Sequence, residues 1–160
     1  MNGWLKGIGI LLIALCVIWA GLRLALIYKR RAAFWEQMSA LCLFLESEIR
    51  YTADCPSNIF LRFNWASAVW PSAVSFFDFE AILNKVVKDL GLNEKEQGWL
   101  RSFYRGLGTT DLEGQLAHCS SYARMFEQQA KQAQQQDTVK GRLCRSLSVL
   151  GALTLAVLLV

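Results

Sequence analysis

The chain has 160 residues, of which 54% are hydrophobic and 19% charged, more apolar mass than a single water-soluble domain of that length needs. The net charge of +4 hides an asymmetry: all 13 acidic residues lie between Glu36 and Asp137, where nine Lys and Arg leave a net of −4, and the other eight basic residues sit toward the ends. That argues against a basic nucleic-acid-binding body, and five scattered cysteines with one histidine argue against a disulfide framework or a metal centre.

Gly7 to Leu22 is uncharged. Arg23 interrupts, and apolar character resumes to Tyr28 before Lys29-Arg30-Arg31. The run can cross a hydrocarbon core of ~30 Å if Arg23 snorkels. Only Lys6 precedes it and no small-x-small cleavage site follows, so a retained anchor is expected in place of a signal peptide. Leu15 before Cys16 argues against a lipoprotein signal. Gly7, Gly9 and Gly21 offer small surfaces to a second helix.

Trp35 to Thr52 has the spacing of an amphipathic helix, with Trp35, Met38, Leu41, Leu45, Ile49 and Thr52 on one face. Glu46 and Glu48 fall off that stripe; a solvated face is the plain reading, and partner contact the functional one. Asp54-Cys55-Pro56-Ser57 ends this helix and opens a short one over 58–66, since proline fits a first turn. Ser75 to Leu90 predicts another helix, stopped by Gly91 in the left-handed conformation with Leu92 behind it. Asn93 with Glu96 makes a capping-box variant for a fourth helix, stopped at Gly108. The dense aromatics Trp65, Trp70, Phe76, Phe77 and Phe79 are expected to be mostly core, with an exposed docking patch as the competing reading.

Thr110 and Glu113 have the spacing of a capping box that opens a long last helix. Leu112, Leu116, Cys119, Ala123, Phe126, Ala130 and Ala133 form its stripe, whose small residues let the helix near Trp35 approach. No stop signal separates this helix from the uncharged tail Ser146–Val160, so one helix of roughly 75 Å is expected, ending in a bilayer. The tail alone reaches only ~22 Å. Basic residues follow the first span and precede the second, which places the middle in the cytoplasm. The expected fold is all-α: a membrane-anchored antiparallel helical bundle, with a transmembrane helix over 1–28, a cytoplasmic helical domain over 29–142 and a C-terminal membrane segment over 143–160.

No P-loop, G-x-G-x-x-G after a strand, G-x-S-x-G or H-E-x-x-H occurs. His118 and Cys119 are neighbours in sequence and do not face each other on a helix, which argues against a Cys-His nucleophile. No enzyme, cofactor, metal or nucleic-acid partner is expected.

Phe103-Tyr104-Arg105-Gly106-Leu107-Gly108-Thr109-Thr110-Asp111, followed by Gln115 and His118, resembles the stage III sporulation protein AB family of endospore-forming Firmicutes. Leu45-Glu46-Ser47-Glu48-Ile49-Arg50-Tyr51 and Trp19-Ala20-Gly21 match two further patterns of that family. The chain departs from it at Asp54-Cys55-Pro56-Ser57 and between Trp65 and Trp70. The resemblance implies a non-catalytic membrane platform of the channel complex between mother cell and forespore, similar to type II secretion platforms. Implied partners are the neighbouring ATPase, stage III sporulation protein AA, and other membrane proteins of the complex; a homo-oligomer is compatible with it. It carries no catalytic residue over. Gly108, Asp111, Gln115 and His118 match family positions, and Glu46, Glu48, Asp111, Gln115 and His118 stand as candidate partner contacts. Two competing expectations are a membrane-anchored helical adaptor or regulator for a cytoplasmic partner, and a small membrane enzyme with a cysteine nucleophile.

Overall fold

The structure, a computed structural model, describes residues 2–52, 55–65, 69–70 and 76–159; the side chains of 2–11, 13, 14, 17, 145, 152, 153 and 155–159 lie outside the description. The elements are α1 (Asn2–Thr52), α2 (Pro56–Arg62), α3 (Phe79–Leu90), α4 (Glu94–Gly106), α5 (Leu112–Gln136), a π-helical turn (Asp137–Gly141) and α6 (Arg142–Leu159). No strand occurs among the described residues, so the expected all-α class holds. Beside the expected boundaries at 28 and 142, the chain divides into two compact units, Arg30–Lys131 and Met1–Lys29 with Gln132–Val160.

The Arg30–Lys131 unit is built on an antiparallel seam between α1 and α5. Going up α1, Trp35 meets Phe126 at a ring distance of 5.5 Å, and the Ser39 hydroxyl donates to the Ala123 carbonyl at 3.2 Å. The expected stripe Trp35, Met38, Leu41, Leu45 and Ile49 is buried, whereas Thr52 is exposed and turns its hydroxyl back to the Glu48 carbonyl. Phe34 is buried as well, because α1 is covered on a second side, where Phe34 stacks on Trp70 at 5.5 Å; Cys42 is buried in the seam near Cys119. On α5, Cys119, Ala123, Phe126, Ala130 and Ala133 are buried, but the outermost Leu112 is exposed.

The aromatic segment closes the other side of this core. Trp65, Trp70 and Phe79 are buried, and Phe79 stacks on Tyr104 of α4 at 5.3 Å. Phe77 stands apart at 81% exposure. Two helix boundaries differ from expectation. The second helix is Pro56–Arg62, ending before Phe63, and the third begins at Phe79, because 76–78 form a turn; Ser75, its expected first residue, lies outside the described residues. Gly91 stops α3 at φ 61° with Leu92 buried behind it, as its spacing predicted. The fourth helix ends at Gly106, two residues before Gly108, whose φ of 77° belongs to the following turn.

In the other unit Gly21 leaves no room for a Cβ, because Ser148 of α6 fills that space. The last helix is not one uninterrupted α-helix: Asp137–Gly141 forms a π-helical turn, a local widening that adds a residue to the turn and reorients what it carries. Among the described residues no helix is long and apolar enough to cross a membrane. The expected spans over 1–28 and 143–160 therefore gain no support there, about half of their side chains lying outside the description.

Candidate functional site

Three of the five candidate residues meet at the corner between α4 and α5. Asp111 is the N-cap of α5: its Oδ1 accepts from the Gly114 amide at 3.1 Å, and its carbonyl accepts from the Gln115 amide at 2.9 Å. This corrects the expected Thr110–Glu113 capping box. Thr110 is occupied otherwise, its hydroxyl accepting from Gln115 Nε2 at 2.9 Å. The same Nε2 donates to the Gly106 carbonyl at 3.0 Å, one of the acceptors that the end of α4 leaves open. Gln115 is buried, and its Oε1 has no hydrogen-bond partner.

One turn on, His118 Nε2–H donates to the Phe103 carbonyl at 3.0 Å, and the imidazole lies parallel to the Phe103 ring, 5.8 Å between centres. Gly106 makes this approach possible, since a Cβ there would collide with the His118 ring. Tyr122 covers the imidazole from the next turn at 4.7 Å. Gln115 and His118 thus fasten α5 to α4, while Cys119 and Ala123 face α1. Phe126 joins both sides, touching Trp35 and Phe103.

Glu46 and Glu48 lie at the far end of α1, half-buried. Arg50 pairs with Glu46 at 3.0 Å and Arg62 of α2 with Glu48 at 3.0 Å. Glu48 thereby ties α2 to α1, and Glu46 lies close enough to α5 for its charge to act on Cys119. No side chain of this group touches one at the α4–α5 corner through a described bond. Burial pushes the Cys119 thiol up to about 11, with the Glu46 carboxylate adding to the effect. Cys42 is raised well above the ordinary thiol value by its burial, and further by Cys119. Neither is a ready nucleophile, since the thiolate is the reactive form. Among the described residues no group of three His, Cys, Asp or Glu is placed to hold a metal ion.

One charged contact was not legible in the sequence. Arg31, expected in a basic collar at the membrane, pairs with Glu96 at the start of α4, a carboxylate only 6% exposed. The other Glu96 oxygen accepts from the Asn93 amide at 2.8 Å, and Asn93 Oδ1 accepts from the Glu96 amide at 2.9 Å. The predicted capping box is therefore present, and Glu96 also anchors α1. The separation of 65 positions between the partners leaves no local pattern to find.

The family model of stage III sporulation protein AB matches residues 6–69 and 71–160. The chain belongs to that family. The break in the match falls at Trp70, inside the aromatic segment where the resemblance was absent. Membership implies a role at stage III of sporulation. No curated protein and no solved structure matches the chain.

Proposed function

We propose that this chain is a non-catalytic platform of the complex joining mother cell and forespore, anchored at both ends in the outer forespore membrane, with its helical body in the mother-cell cytoplasm. The observation that carries the reading is the family match along nearly the whole chain. The sequence adds the anchors: an uncharged run over 7–22 followed by Lys29-Arg30-Arg31, and an apolar tail over 146–160 preceded by Lys140, Arg142 and Arg145. Buried, high-pKa cysteines and a histidine engaged with backbone favour a scaffold over a catalyst.

The partner this reading names is the neighbouring ATPase, stage III sporulation protein AA. Glu46, Glu48 and the exposed Asp111 are the surface carboxylates for that contact; Gln115 and His118 shape the corner that presents Asp111. Affinity purification of the full chain from sporulating cells tests this. Recovery of the ATPase, with a reporter in the loop near Asn93 protected from outside the cell and reporters at both termini reachable, supports it. Normal spores after deletion, with a soluble partner recovered in place of the ATPase, would select the adaptor reading.

A further inference from the structure

In the unit formed by the two terminal segments, a cavity of about 290 Å³ opens beside α1, lined by Leu22, Ala25, Leu26, Lys29 and Asp137. Its walls are of two kinds. Leu22, Ala25 and Leu26 form an apolar strip on α1, and one turn beyond it stand opposite charges, Lys29 on α1 and Asp137 on the π-helical turn. Asp137 Oδ1 is buried without a hydrogen-bond partner, and no ion pair joins it to Lys29. A buried carboxylate oxygen lacking a donor is costly, and more so when charged. Asp137 can accept from a donor that comes from outside the chain, and Lys29 on the same cavity wall offers its charge to an anion.

We propose that this cavity takes the headgroup of a phosphatidylethanolamine from the surrounding bilayer, its ammonium donating to Asp137, its phosphate on Lys29 and its first chain carbons along Leu22 and Leu26. The inference rests on the membrane reading above. The volume suits a headgroup and the start of a chain, and the exposed Leu22 and Leu26 continue the apolar path for the rest. Choline headgroups carry no N–H, so they satisfy Lys29 and leave Asp137 unpaired. A glycerol headgroup brings only a neutral hydroxyl and a net negative charge, which Asp137 repels. Among these the ethanolamine group alone matches both charges and also brings N–H donors for Asp137.

Native mass spectrometry of the full chain in detergent, with phosphatidylcholine, phosphatidylethanolamine or phosphatidylglycerol added singly, tests this. Phosphatidylethanolamine should be retained roughly tenfold over phosphatidylcholine, as one charge-assisted hydrogen bond implies. Asp137→Asn should bring the two to parity. Lys29→Gln, at an exposed position that leaves the fold intact, should weaken retention of all three. Equal retention of the three lipids, retention of phosphatidylglycerol as strong as that of phosphatidylethanolamine, an unchanged preference in Asp137→Asn, or unchanged retention in Lys29→Gln overturns the assignment. Flotation of the wild-type chain on phosphatidylcholine vesicles separates the two levels: a chain that floats without a headgroup preference sinks only this inference, and one that stays in solution sinks the membrane reading with it.

Discussion

The two compact units treat the same kind of residue in opposite ways. In Arg30–Lys131 the large apolar side chains of the core are enclosed, with Trp35 1% exposed and Phe60, Phe79, Phe103 and Phe126 fully buried, while Leu43, Leu61, Phe77 and Leu112 stand outside it. In the terminal unit Trp19 is 62% and Leu147 65% exposed, with Leu12, Leu15, Leu24 and Leu150 similar. Apolar area removed from water contributes about 25 cal/mol per Å². The first unit collects that contribution within its own chain. The second leaves it uncollected, as a surface suited to an apolar medium or an apolar partner.

The most direct way to break this contrast is truncation on both sides of it. Phe126→Ala removes the ring that joins α1, α4 and α5, and should cost about 4 kcal/mol, enough to abolish cooperative unfolding of the helical body. Leu147→Ala, in detergent, should shift the same transition by less than about 0.5 kcal/mol. Chemical denaturation followed by circular dichroism reads both. Equal losses at the two sites would show that the exposed leucines are packed after all.

The second perturbation reaches a link inside the body. Glu96→Gln keeps the shape but removes the charge that holds Arg31, and should cost about 3 kcal/mol, since a buried ion pair broken on one side leaves the other charge uncompensated. Arg31→Met should cost at least as much, because it leaves the more buried charge, a carboxylate 6% exposed against 22% for Arg31, with only its Asn93 amide. A double-mutant cycle on the two sites isolates the pair; a coupling near zero would make Arg31 a collar residue, as the sequence suggested.

That example marks where the sequence stops being readable. Periodic burial was legible: Trp35, Met38, Leu41, Leu45 and Ile49 on α1, and Cys119 to Ala133 on α5, follow helical spacing because one face meets one partner. Local stop and start chemistry was legible too, as at Gly91 and at Asn93 with Glu96. What escaped depends on distant neighbours. Phe34 is buried by Trp70, whose position no local spacing states. The π-helical turn at Asp137 follows no residue pattern that distinguishes it from the helix on either side. At the candidate site, Gln115 and His118 were picked out by resemblance, but their hydrogen bonds to the end of α4 required the fold.

A third perturbation uses pH to sharpen the contrast. The Cys119 thiol titrates at about 11 in the folded chain against an ordinary 9.0, because burial disfavours the thiolate. Its folded pKa is raised, so its contribution is fully present below pH 9 and is lost as pH climbs toward 11, where the unfolded chain gives up the proton first. The loss should amount to about 2 kcal/mol. Cys42 acts in the same direction. A thiol reagent at pH 8 should label the exposed Cys55 while the folded body protects Cys42 and Cys119. Cys119→Ala should flatten the decline between pH 9 and 11; a slope unchanged by that variant would assign it to other groups.

The smallest expected effect separates two neighbouring hydroxyl and carboxylate side chains. Thr110 and Asp111 are both good helix starters, and the sequence alone favours Thr110 because Glu113 follows it at the capping-box spacing. Gln115 tips the choice. Its buried amide needs an acceptor beside the Gly106 carbonyl, and Thr110 supplies it, which leaves the Gly114 amide to Asp111. Asp111→Ala should therefore cost about 1 kcal/mol through the lost cap. Thr110→Val should act through Gln115 instead, and its cost should vanish in a Gln115→Met background, where no amide is left to satisfy. If Thr110→Val and Asp111→Ala stay additive with Gln115→Met in equal measure, the corner is held by packing of Phe103 and His118 alone, and its polar residues are free for a partner.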